Sequence, residues 1–162
     1  MSKISAEIIQ KIEQLNRDYI CALDALDMPA WLACFNKRGQ YTFIAEENYR
    51  RNLPIAFMLD DCYERLQDRV TQVVDIQSDS TEHFQTRHFT QLTSVTAPED
   101  GGYRAEFNFS VYYTRRDTNQ TQLLCVGRYF DLIDISNACA SYIDRKVVTD
   151  TNVLPRYIAY PV

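Results

Sequence analysis

Apolar residues recur along the first stretch of the chain at Ile8, Ile9, Ile12, Leu15, Tyr19, Ile20, Leu23 and Leu26. That spacing follows a 3.6-residue period and predicts one long amphipathic helix. Asp27 followed by "MPAW" reads as a second helix start, with Pro29 in the first turn and Trp31, Leu32 and Phe35 facing inward. Gly39 is expected to end it, and "QYTFIA" to run on as a strand. "EENYRRNLP" is a polar excursion and "IAFML" a short apolar strand. Asp60 or Asp61 is expected to cap a third helix through "CYERLQDRVTQVVD", with Leu66, Val70 and Val73 on one face.

The period then changes. "HFQTRHFTQLTSVT" is rich in strand formers, and "APEDGG" supplies a turn. From Tyr103 onward, Tyr103, Ala105, Phe107, Phe109, Val111 and Tyr113 share one face and polar residues the other. "RRDTNQTQ" is a hairpin loop, and "LLCVGRYFDLID" and "SYIDRKVVT" complete four long strands. Short loops between them imply an antiparallel meander. Helices first and sheet second make the class α+β, with three helices over one face of a bent sheet.

Composition narrows the functions this scaffold can serve. The 162 residues, 46% hydrophobic and 24% charged, suit one globular domain over 1–162. Lys+Arg is 17 against Asp+Glu 22, a formal charge of −5, with no basic cluster. Nucleic acid and anionic lipid are therefore poor partners. No apolar run is long enough to span a bilayer, and the amphipathic start lacks the features of a signal peptide. Five cysteines at 21, 34, 62, 125 and 139 include no Cys-x-x-Cys pair. Zinc ribbons, iron–sulfur sites and disulfide frameworks fit this spacing poorly, and free thiols in a reducing cytoplasm fit it well.

Candidate chemistry centres on two histidines, His83 and His88, five residues apart. On a strand an odd separation sends them to opposite faces, so they cannot easily share a metal. His88 on the concave face, with Asp24 from the first helix, could serve as an acid–base pair. The bland alternative is a histidine hydrogen-bonded in the core or at a subunit contact. No Gly-x-Ser-x-Gly and no phosphate-binding glycine loop occur. Cys125 reads as packing, Asp60–Asp61 as capping, and Thr114–Arg116 as a solvated strand end. Aromatic strand residues such as Tyr112, Tyr129 and Tyr142, and the apolar tail Leu154, Tyr157, Ile158, Tyr160 and Val162, need cover from the domain itself or from a neighbour.

"LQDRV" (66–70), "TRHFTQL" (86–92), "GRYFDLI" (127–133) and "DRKVVTDTNVLPRYIAYPV" (144–162) come in an order and spacing that resemble the small, β subunits of Rieske non-haem iron aromatic-ring-hydroxylating oxygenases. "ENYRRNLPIAFM" most resembles the salicylate 5-hydroxylase small subunits, with those of terephthalate and anthranilate dioxygenases near. The resemblance implies an NTF2-like (cystatin-like) cone. It also implies a structural subunit with no catalytic, cofactor-binding or metal-binding residues of its own. The Rieske [2Fe-2S] cluster and mononuclear Fe(II) would lie in an α subunit, within a heterohexamer of three α and three β subunits fed by a ferredoxin and reductase. The competing expectation is a stand-alone isomerase or dehydratase with an open cone pocket formed by Asp24, Tyr41, His88 and Tyr129. Side chains filling the cone would argue against it.

Overall fold

The computed structural model describes residues 4–76, 84–97 and 102–162. His83 and most of the expected "APEDGG" turn lie outside them.

Helix α1 (Ala6–Asp24) starts where the Ser5 side chain accepts a hydrogen bond from the Ile8 N–H, and it buries Ile12, Leu15, Tyr19, Ala22 and Leu23 as the periodicity requires. It stops in a Schellman turn. Leu26 takes a left-handed φ of 57°, and the Asp27 N–H reaches back to the Ala22 carbonyl at 2.8 Å. Asp27 then caps α2 (Met28–Ala33) by accepting from the Ala30 N–H.

The second helix is shorter than the sequence suggests. Strand β1 (Phe35–Ala45) begins at Phe35 rather than after Gly39. Long-range packing outweighs the local helix signal: Phe35 is buried against Tyr19, Trp31 and Tyr142. Gly39 is no helix stop. It sits in the irregular part of β1, where a Cβ would lie 2.8 Å from that of Phe35.

The polar excursion folds as a short helix, α3 (Glu46–Arg50). Strand β2 (Met58–Asp60) then forms the near edge of the sheet. Helix α4 (Tyr63–Thr71) follows and passes into a π-helical turn, Gln72–Ile76. The capping role expected of Asp60 or Asp61 is corrected. Cys62 is the N-cap, without a side-chain hydrogen bond. Asp60 is instead buried and bridged by Arg69 through both nitrogens of the fork, and Asp61 pairs with Arg65 at 3.3 Å.

Strands β3 (Phe84–Thr96), β4 (Tyr103–Arg115), β5 (Thr121–Asp134) and β6 (Ser141–Thr149) form the antiparallel meander. The full sheet runs β2-β1-β6-β5-β4-β3, and β1 pairs with β6 in parallel. On β4, Ala105, Phe107, Phe109, Val111 and Tyr113 face the core as the alternation demands. A register shift near Val111 lets adjacent residues of β5, Leu124 and Cys125, both turn inward. Gly127 lets β5 approach β6 closely: a Cβ there would lie 2.1 Å from the Val148 carbonyl oxygen.

Candidate functional site

The inner face of the sheet and the underside of α1 enclose the place where an NTF2-like cone would hold a pocket. Asp24 closes α1 and His88 points inward from edge strand β3. The two meet as the sequence suggests, His88 Nδ1 lying 2.7 Å from Asp24 Oδ1. The Thr86 hydroxyl donates to the same oxygen at 2.9 Å, and the backbone N–H of His88 donates to Asp24 Oδ2 at 3.2 Å. Burial pushes the Asp24 carboxyl up, but the hydrogen bonds and charge of His88, with help from Thr86, hold it below its ordinary value. One carboxylate thus ties the outermost strand to the first helix. A second tie runs from Asn16 Nδ2 to Thr90 Oγ1 at 2.9 Å.

Tyr41 and Tyr129 do not join this pair in an open pocket. Tyr41 Oη donates to the Val162 carbonyl and accepts from the Val162 N–H at 2.9 Å, and Tyr19 Oη donates to the same carbonyl at 2.8 Å. The tail therefore occupies the cone, with Ile158, Ala159 and Val162 buried. Tyr129 is fully buried and stacks on Phe109, ring centroids 4.3 Å apart. Trp31 and Phe43 fill more of the interior. Grooves of 520 and 490 Å³ open on the outside instead, one over Phe89 and Tyr112, the other between α3 and residues 150–152. Neither is lined by Asp24, Tyr41, His88 or Tyr129.

The deepest polar group is Arg145, which sequence reasoning missed. Its guanidinium lies 4.0 Å from the ring centres of Tyr19 and Tyr129 and 4.4 Å from that of Tyr142. It donates to Tyr142 Oη and Asn16 Oδ1, each at 2.8 Å, and faces Asp131 through Nε at 3.2 Å and Nη2 at 3.3 Å. Burial drives the Asp131 carboxyl up to about 7 against the pull of Arg145. Burial opposes the charge on Arg145 too, but Asp131 and the tyrosines hold its pKa above the ordinary value. Nη2 donates to Asp131 Oδ2, while Nε and Asp131 Oδ1 face each other without a hydrogen bond. The signal in the sequence was the alternation itself, because Tyr129, Asp131 and Ile133 share the inward parity of β5. The network joins α1, β5 and β6, and it has no face open to a substrate.

The residues described do not fit an iron centre or cluster. Burial pushes the thiols of Cys34 and Cys125 up to about 11 and about 12, away from the thiolate a metal requires. His88 offers one imidazole, already tied to Asp24. Among the described residues no three His, Cys, Asp or Glu side chains gather as a ligand set.

The sequence model described as the ring hydroxylating beta subunit matches residues 20–156. The chain belongs to the ring-hydroxylating β-subunit family. It is thus a small subunit of an aromatic-ring-hydroxylating dioxygenase, an oxidoreductase assembly. The anthranilate 1,2-dioxygenase small subunit of Burkholderia cepacia is 25% identical over 152 residues, 94% of this chain and 92% of that one. Among solved structures, a β subunit assigned to an aromatic-ring-hydroxylating dioxygenase of Novosphingobium aromaticivorans superposes with a TM-score of 0.79 at 28% identity, over 90% of this chain and 92% of that one. The β subunit of the Burkholderia mallei benzoate 1,2-dioxygenase gives 0.72 at 19% identity, over 92% and 93%, and speaks to the fold. A small subunit implies a large partner subunit. No helix among the described residues is long and apolar enough to cross a membrane.

Proposed function

We propose that this β subunit, folded as one NTF2-like domain over 1–162, is structural and contributes no catalytic group. The filled cone carries the reading. The site that would serve an isomerase or dehydratase holds Val162, hydrogen-bonded to Tyr19 and Tyr41, and the Asp24–His88 pair is spent on fastening β3 to α1. The Rieske [2Fe-2S] cluster and mononuclear Fe(II) belong to the α subunit in a cytoplasmic heterohexamer of three α and three β subunits. A ferredoxin and reductase supply its electrons. The names of the relatives, an anthranilate and a benzoate dioxygenase, and the resemblance to salicylate 5-hydroxylase favour an aromatic acid as substrate.

Reconstitution tests this. The purified chain alone, supplied with electron-transfer proteins and an aromatic acid, is expected to give no hydroxylated product. Adding the cognate α subunit should restore turnover, with iron analysis assigning the metal to α. Turnover by this chain alone, or loss of α activity in an Asp24→Asn or His88→Gln variant that still assembles normally, would refute the structural role.

A further inference from the structure

The tail that fills the cone is fastened mainly by side chains. Among the described residues, no backbone-to-backbone hydrogen bond ties residues 151–162 to a strand or helix, and Val153 and Tyr157 are exposed. The Arg156 guanidinium lies over Phe84, 4.2 Å from its ring centre, and Tyr160 meets the same ring edge-on at 6.2 Å. Further polar anchors converge on Val162. Its carbonyl accepts from Tyr19 Oη and Tyr41 Oη, its N–H donates to Tyr41 Oη, and its isopropyl group joins the buried apolar cluster. A segment with so few backbone hydrogen bonds lies at the low end of local stability.

The groups that receive Val162 are fixed without it. Trp31 packs on Tyr41 at 5.7 Å and on Tyr19 at 6.4 Å, and Tyr19 also packs on Phe35, Tyr129 and Tyr142. These rings belong to α1, α2, β1, β5 and β6. Burial pushes the Tyr19 hydroxyl up to about 12 and raises that of Tyr41 as well, so both remain protonated donors. A third donor, Trp31 Nε1, is buried without a hydrogen-bond partner. Donors held this way would keep their aim if the tail withdrew, and a buried donor left unpaired is costly, so a replacement ligand meets a site already organised for it.

We propose that the cone is a ligand site kept shut by the chain's own tail, and that it takes a small N-acylated aliphatic amino acid, as the acid or its amide. Such a molecule reproduces what Val162 presents: an N–H and a carbonyl that share the Tyr41 hydroxyl, a carbonyl oxygen reached by Tyr19, and a short branched side chain. Tail and ligand exclude each other, and the tail, tethered in the same chain, competes at high effective concentration. The site is additional to the structural role and does not depend on the partner subunit.

Ala159→Asp tests it in the full chain, because Ala159 is buried and a carboxylate cannot be seated there, so the tail should lift away. Calorimetric titration with N-acetyl-L-valine and with N-acetyl-L-valinamide is expected to show saturable binding of at least one of them, about tenfold or more tighter than in wild type. N-acetylglycine, without the isopropyl group, should bind about tenfold weaker or worse. Adding Tyr41→Phe, which removes both hydrogen bonds of that hydroxyl, should weaken binding by about tenfold. A folded Ala159→Asp variant that binds neither probe, binding as tight in wild type, or binding indifferent to Tyr41→Phe overturns the proposal. Should Ala159→Asp fail to melt cooperatively, deletion of residues 158–162 replaces it in the same titrations. If neither variant folds, the proposal is overturned too, because a strap able to leave is not needed for the fold.

Discussion

Replacing Arg145 with Met removes a charge from a site with no access to water while keeping an unbranched side chain of similar reach. Arg145 and Asp131 side chains are both 0% exposed. Breaking one partner of a buried pair typically costs about 3–5 kcal/mol, because the other charge stays uncompensated. Three tyrosine faces around the guanidinium place the loss in the upper part of that range. For a chain of this size, 1 kcal/mol moves Tm by about 2–4 °C, so a loss of about 4–5 kcal/mol should lower the melting temperature by about 8–20 °C at pH 7. The loss should also depend on pH. Without Arg145, the influence that lowers the Asp131 pKa is gone and burial, with the nearby Asp144 charge, remains to raise it, so the folded variant prefers the neutral acid. A carboxyl whose folded pKa is raised favours the folded state below its unfolded pKa, and that advantage fades as pH rises through the folded value. The deficit of Arg145→Met should therefore be smaller at pH 5 than at pH 8, as read by urea unfolding at both. Adding Asp131→Leu should recover most of it and remove the pH dependence. A deficit under about 1 kcal/mol, or one equal at the two pH values, would refute the picture of a buried, mutually dependent pair.

Asp24→Asn should lower stability by about 2 kcal/mol at pH 7, since hydrogen bonds to a charged acceptor are lost. The folded-state pKa of Asp24 is depressed, so its contribution is present above the ordinary value of 3.8 and disappears as pH falls below it. Acid titration followed by circular dichroism should show wild type and variant converging there. Gly127→Ala should cost about 3 kcal/mol, because the obstacle to a Cβ is the Val148 backbone oxygen, which cannot swing aside; chemical denaturation measures it. Thiol titration of the native chain should modify the exposed Cys21 and Cys139 quickly, and the buried Cys34 and Cys125 only after unfolding.

The amphipathic first helix, the meander and the inward face of β4 were legible because each rests on a local period carried through many residues. The pairing of Asp24 with His88 was legible from strand parity and helix position. Three features were not. The early start of β1 depends on Phe35 finding Tyr142 far along the chain, a contact no local window contains. Asp60 looked like a cap beside α4, because its real partner, Arg69, becomes visible only when strand and helix pack together. The Arg145 cage draws on Asn16, Tyr19, Tyr129, Asp131 and Tyr142. Among these only the inward parity of Asp131 hinted at a buried charge.

The parallel pairing of β1 with β6 bears on how the polypeptide is made. Phe43 lies beside Val147, so about a hundred residues must leave the ribosome before β1 meets its partner, and such distant pairings form slowly. Until then β2 is the only strand β1 can pair with, and Tyr41 and Phe43 have only part of their cover, from Trp31 and Phe57. Nascent chains stalled before residue 141 should therefore be held by chaperones or clump together, and release past β6 marks the moment when this subunit becomes fit to meet its companions.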